Sequence, residues 1–201
     1  MSKKWNLKEI ILMSILGVVF GIIYLLFFFV GQGITTLLTP LGLGPLGYEF
    51  IFGIWFIVSI IAAYIIRKPG VALTAEVIAA VVEVLMGTTA GPTLILSGFI
   101  QGLGAELAFA LTGWRKYTLP VLMLSGVTAA CVSFGYHLFA SGIIALESWI
   151  IIASLIIRII SGAILAGILG KWIGDQLAKT GVLRGYALGK ELREKRESKV
   201  V

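Results

Sequence analysis

The sequence predicts an all-α integral membrane protein with six transmembrane helices and both termini in the cytoplasm. Three observations predict it. Of the 201 residues, 59% are hydrophobic and 13% charged, and the mean hydropathy is +1.04. A soluble domain carries about 25% charge and about 45–50% apolar residues. Apolar runs of roughly 20 residues, enough to cross about 30 Å of hydrocarbon, alternate with short charged or Gly/Pro-rich connections. Of the 16 Lys and Arg, 15 fall on one side of those runs and one, Arg158, lies inside a run. Basic loops stay cytoplasmic, which fixes the orientation.

The first span is read at 8–30, behind Lys3, Lys4 and Lys8. Its apolar run, Ile10 to Val30, is too long for a signal-peptide core and lacks a small-x-small cleavage pattern. Gly17 and Gly21 form a Gly-x-x-x-Gly with Ser14 one turn earlier, a surface suited to close helix contact, either internal or with a partner subunit. Residues 31–47, rich in Gly and Pro, read as a connector or as a movable cover over an outward-facing cavity. The second span, 48–66, ends at Arg67-Lys-Pro-Gly70, and the third and fourth, 71–88 and 93–112, form a hairpin around Gly87–Pro92. Arg115 and Lys116 precede the fifth, 118–141, where Pro120 sits in a first turn that needs no N–H. The sixth is read at 148–175.

Residues 1–178 are thus expected to form one transmembrane substrate-binding domain, and 179–201 a basic cytoplasmic tail. The tail alternates Lys and Arg with Glu at helical spacing and reads as a solvated helix. Because the net charge of +6 gathers on the cytoplasmic edge, it points to the lipid bilayer and not to nucleic acid. The single cysteine, Cys131, excludes an internal disulfide framework.

Polar residues inside the spans carry the functional signal. A charge at the bilayer centre costs roughly 2.5–3.5 kcal/mol, so such residues are hypotheses about a site. At about 1.5 Å per residue, Glu83 and Gln101 lie toward the outer ends of their spans and Glu76 and Glu106 deeper. Glu49 opens the second span, His137 lies near the outer end of the fifth, and Arg158 is about mid-membrane. Glu49, Glu83, Gln101 and His137 are therefore expected around an outward-open pocket, and Glu76, Glu106 and Arg158 in a deeper structural ion pair. Carboxylates outnumber the lone arginine, which suits a cationic or amine-bearing ligand. Tyr48, Phe52, Trp55, Phe99, Tyr136 and Trp149 offer aromatic faces that attract cations and stack on flat rings.

Catalytic motifs are missing. The sequence has no His-Glu-x-x-His, no metal-like Cys/His cluster and no phosphate loop, so no enzyme, cofactor or metal site is expected in this chain. Two other readings follow from the same residues: a stand-alone proton-coupled transporter using Glu76, Glu83 or Glu106, and a structural membrane subunit without a ligand.

Several segments also carry a family likeness. Lys8-Glu-Ile-Ile-Leu-Met-Ser14, Tyr48-Glu49, Gly53-Ile-Trp-Phe56, Ile66-Arg-Lys-Pro-Gly70, Gln101-Gly-Leu-Gly-Ala-Glu106, Leu119–Leu124, Arg158–Ala163 and Thr180–Leu192 resemble the YkoE-type S components of energy-coupling factor (ECF) transporters. The resemblance spans nearly the whole chain. It implies a bacterial plasma-membrane subunit that binds thiamine or its hydroxymethylpyrimidine precursor from outside. It also implies work with a membrane coupling subunit and two cytoplasmic ATPase subunits, which use the ATP. In that class small residues of the first helix contact the coupling subunit, which would give Ser14, Gly17 and Gly21 a docking role.

Overall fold

A computed structural model describes residues 4–198; Lys3, read above as a flanking charge, and tail residues 199–201 lie outside the described residues. The described chain is helical throughout. Asn6 starts α1 (Leu7–Leu38) with a capping box, accepting from the Glu9 N–H while the Glu9 carboxylate accepts from its own N–H. The helix does not stop near Val30 but continues through Leu38, so eight residues read as loop are helical. Gly31 sits within that extension because the Tyr48 ring occupies the space a Cβ would need. Two short 3-10 turns, Thr39–Leu41 and Gly44–Leu46, carry the connection back across the top of the bundle.

The second span begins with a 3-10 stretch, Glu49–Phe56, and continues as α2 (Ile57–Ile66). Every residue of α2 is buried, as expected of a helix apolar on all sides at the centre of a bundle. Arg67 (φ 59°) and Gly70 (φ 81°) turn the chain into α3 (Val71–Leu85). Then follow α4 (Thr93–Leu111), α5 (Leu119–Ala140) and α6 (Ser148–Ser161). A π-helical stretch, Gly162–Ile168, joins α6 to α7 (Leu169–Lys179) without a break. Five of these continuous helices are long and apolar enough to cross a membrane; α3, with 15 residues, is shorter.

Close backbone approaches position the parts that matter. Gly17 and Gly21 face Ile78, Ala79 and Val82 of α3, so both are internal contacts and not an open docking face. Ser14, one turn earlier, bonds the Ile10 carbonyl of its own helix (3.0 Å). Deeper in the bundle, Gly53 of the 3-10 stretch abuts the Ser161 carbonyl, and Gly162 lies against the Gly126 backbone of α5. Ser161 Oγ accepts from Gly53 N–H (2.9 Å) and donates to the Phe50 carbonyl (3.0 Å), tying the two irregular stretches together. Such runs of non-α backbone sit at membrane depth only where protein surrounds them.

The bundle end that carries both termini is latched. Lys68 pairs with Glu9 (2.7 Å), Trp5 Nε1–H donates to the Pro69 carbonyl (3.1 Å), and Arg67 pairs with Glu191 (2.6 Å) of α8 (Ala187–Glu197). The segment read as a solvated tail is docked, because Leu183 and Leu188 bury in the main core.

Candidate functional site

At the opposite end of the bundle, the helix ends surround a cavity of about 480 Å³. Its walls include Phe28, the 3-10 stretch through Tyr48, Glu49, Phe52 and Trp55, Glu83 from α3, Ser97 and Gln101 from α4, His137 from α5 and Arg158 from α6. Pro45 and Leu146 of the connecting segments close over it. The 3-10 geometry explains one whole wall. At about 3.0 residues per turn, residues three apart eclipse, so Glu49, Phe52 and Trp55 line up on one face. An α-helix, at about 100° per residue, would turn Trp55 roughly 120° away from Glu49.

Arg158 is the largest fully buried side chain and is held on every side. Its Nε and Nη2 donate to the two oxygens of Glu49, both at 2.5 Å, with side chains 2% and 4% exposed. The guanidinium lies 3.7 Å from the Phe52 ring centroid and 5.0 Å from that of Phe134. The expected ion pair of Arg158 with Glu76 or Glu106 does not form. Glu76 instead accepts from Ser59 Oγ (2.7 Å) and Tyr24 Oη (3.2 Å), a buried contact among α1, α2 and α3. Glu106 caps α3, accepting from the N–H groups of Gly70 (2.7 Å), Ala72 (3.0 Å) and Leu73 (3.4 Å) and from Trp114 Nε1–H (2.5 Å).

A second polar chain crosses the cavity wall. Gln101 Nε2–H donates to Ser97 Oγ (2.9 Å), and Ser97 Oγ lies 3.2 Å from His137 Nε2. His137 Nδ1 is 2.9 Å from the Ser133 carbonyl. His137 Nδ1 also lies 3.2 Å from Arg158 Nη1, so donation from Nδ1–H to the Ser133 carbonyl and acceptance from the guanidinium are alternatives set by the tautomer.

Glu83 differs from all of these. Its residue is 0% exposed and neither carboxylate oxygen has a hydrogen-bond partner of ordinary distance and angle among the described residues, although the Trp55 side chain stands close enough to interact with it. A buried carboxylate without a donor costs more than almost any other single group in a fold, and such a group in a cavity wall is prepared for a donor that arrives from outside. Aromatic rings stand around it in series: Phe28 to Tyr48 (6.0 Å between centroids), Tyr48 to Trp55 (6.1 Å) and Trp55 to Phe52 (5.7 Å).

Six of the eight residues expected in the pocket, Tyr48, Glu49, Trp55, Glu83, Gln101 and His137, line this cavity. Phe99 does not; it is 44% exposed on the outer surface of α4. Tyr136 lines a shallower neighbouring groove with Thr93 and Ala140. Phe52, one of the aromatic faces read from the sequence, lines it too, whereas Ser97 and Arg158 were not expected there. Ser97 stands one helical turn before Gln101, a spacing that puts both on one face.

The fold and this enclosed, aromatic, carboxylate-bearing chamber define a membrane subunit that binds a small molecule, not an enzyme. The chain matches the family described as "ABC-type cobalt transport system, permease component" over residues 8–132. It is 53% identical over 195 residues to the "Putative HMP/thiamine permease protein YkoE" of Bacillus subtilis (strain 168), covering 97% of this chain and 96% of that protein. A solved structure described as "Crystal structure of an S-component of ECF transporter" superposes with a TM-score of 0.94 at 52% identity, over 98% of both chains. The chain belongs to the YkoE-type S components of ECF transporters, the substrate-binding membrane subunits of these importers. Among the described residues no three His, Cys, Asp or Glu gather as a metal site.

Proposed function

We propose that the chain binds thiamine, or its hydroxymethylpyrimidine precursor, in the cavity beside Glu83. It then delivers the ligand with a membrane coupling subunit and two cytoplasmic ATPase subunits, which use the ATP; the chain itself needs no cofactor. One observation carries this reading. Arg158 is neutralised by Glu49, and its remaining nitrogen faces His137, so Glu83 is left as the carboxylate without a cationic partner in an otherwise neutral, aromatic chamber. Its oxygens accept from an exocyclic amine and balance a cationic ring, while Tyr48, Trp55, Phe52 and Phe28 hold flat rings between them. The relative named as an HMP/thiamine permease supports the same ligand class.

In this reading α3 completes six spans, both termini are cytoplasmic and the cavity opens outward. Residues 1–178 form the binding domain, and 179–201 the basic cytoplasmic segment. Support comes from the basic end of the bundle, where Lys68, Arg67, Arg115 and Lys116 gather away from the cavity. The connection Thr39–Gly47 covers the cavity mouth. Calorimetric titration of the purified chain with thiamine and with hydroxymethylpyrimidine tests the proposal. Saturable binding of one of them is expected, and no heat from either at micromolar concentration overturns it.

A further inference from the structure

The elbow between α7 and α8 is fixed to the bundle. Leu183 and Leu188 are each 1% exposed, Tyr186 Oη donates to the Lys8 carbonyl (3.1 Å), and Arg67 pairs with Glu191. On its outer side lies a cleft of about 280 Å³, lined by Lys179, Gly181, Arg184, Gly189, Leu192 and Arg193 among others. Its charged lining residues are all cationic. Arg193 approaches Glu197 (3.6 Å, both 70% exposed), while Lys179 and Arg184 make no ion pair among the described residues. Two glycines open the floor. Gly181 has φ 85°, and a Cβ there would press the Arg184 guanidinium at 3.1 Å; a Cβ at Gly189 would run into the Leu183 carbonyl.

A second feature leads to this cleft. Along the sixth span Ile156, Ile160, Ile164 and Ile168 are 51%, 52%, 48% and 42% exposed, and Trp172 is 57% exposed. They recur every four residues, forming one apolar track on the outside of the bundle, with an interfacial tryptophan at its end. Lys179 follows Trp172 by seven residues, close to two turns, and so continues the track. Exposed Val182 (73%) adds an apolar side chain at the elbow. Hydrocarbon, aromatic belt and cationic pocket thus follow in the order in which a phospholipid presents acyl chain, glycerol and phosphate.

We propose that the cleft binds the phosphate of an anionic phospholipid, with Lys179, Arg184 and Arg193 on the phosphate oxygens and the acyl chains along the isoleucine track. The volume, several times the roughly 30 Å³ share of a water molecule, admits a phosphodiester. Three cations in one cleft at the membrane surface favour an anionic headgroup over a zwitterionic one. The proposal does not depend on which substrate fills the cavity.

The test uses the full chain released from mixed phosphatidylglycerol/phosphatidylcholine nanodiscs, with retained lipid counted by native mass spectrometry. The wild type is expected to retain phosphatidylglycerol preferentially. Lys179→Gln/Arg184→Gln should lower that preference about tenfold, and Arg184→Gln alone several-fold. Arg115→Gln/Lys116→Gln, an exposed pair at the same end of the bundle, should keep it within about twofold. Equal loss in both double variants would assign the preference to general surface charge and overturn the site. Absence of any preference in the wild type would do the same. Displacement of the lipid by millimolar inorganic phosphate would make this a free-phosphate site and sink the lipid assignment. Unchanged thermal unfolding profiles of the variants keep the comparison valid, since all four positions are exposed.

Discussion

Removing the Glu49 carboxylate strands Arg158. The pair is bidentate, both bonds measure 2.5 Å, and the side chains are 2% and 4% exposed, so water cannot replace the lost partner. Breaking a buried pair from one side costs about 3–5 kcal/mol, because it leaves an uncompensated charge; replacing both partners by apolar groups of similar size is often neutral. Glu49→Leu alone is therefore expected to destabilise by about 3–5 kcal/mol, Arg158→Met alone by about 2–4 kcal/mol, and the double variant by less than either. Phe52 loses the guanidinium stacked at 3.7 Å in both arginine variants, which keeps the double variant from full recovery. Equilibrium unfolding in mixed micelles, followed by tryptophan fluorescence, gives the four corners of the cycle. A coupling energy within about 0.5 kcal/mol of zero would refute the reasoning, since additivity of that quality belongs to residues that do not interact.

Glu83→Ala and Gln101→Ala should each weaken thiamine binding at least tenfold, about 1.4 kcal/mol, by titration calorimetry; unchanged affinity in both removes them from the ligand site. Glu106→Ala removes the acceptor for three N–H groups at the start of α3 and for Trp114, and is expected to cost about 1–3 kcal/mol of stability with thiamine affinity kept within about twofold, because it lies at the far end of the bundle from the cavity. Gly162→Ala places a Cβ 2.5 Å from the Gly126 carbonyl oxygen and 3.3 Å from the Ala130 Cβ, and should destabilise by about 1–3 kcal/mol in the same unfolding assay. The Lys195 hydrogen bond, aided by Arg67, holds the Glu191 carboxyl below its ordinary 4.5. A depressed acid stabilises above that ordinary value and loses its effect as pH falls through the folded one, so the protection of α8 amides relative to their intrinsic exchange rates should fall below about pH 4.5 and hold above it. The effect is small, since the Glu191 side chain is 34% exposed.

The long apolar runs were readable because their length and composition are set by the bilayer itself. Observed helices such as α4 and α5 end within a residue of the expected 93–112 and 118–141. The polar partnerships were less readable. Depth along each span follows from the distance to that span's own end, but α1 runs eight residues beyond Val30, about 12 Å, and the connection folds back over the cavity. Glu49 therefore sits deep enough to meet Arg158, where the sequence had put it at the surface. Glu76 and Glu106 found neutral donors, Ser59, Tyr24 and backbone N–H groups, and nothing in the local sequence indicates such distant partners. An α-helical wheel would set Phe52 about 60° from both Glu49 and Trp55 and those two about 120° apart, and the 3-10 winding of 49–56 puts the three in line. Phe99 and Tyr136 were chosen for their ring chemistry, and the helix faces they occupy turn them away from the cavity.

The shortness of α3 has a consequence for the surrounding lipid. Fifteen residues rise only about 22 Å, against the about 30 Å of hydrocarbon that the neighbouring α1 overshoots and α4 nearly matches. The α3–α4 hairpin therefore leaves a notch in the hydrophobic outline of the bundle, and Glu83 stands one turn from its rim. Headgroups and water must sink toward that notch, or the membrane must thin to meet it, at a fraction of a kcal/mol per ångström. Bilayer thickness thus becomes a variable of the binding site, with short acyl chains relieving the mismatch and long ones pressing on the chamber mouth.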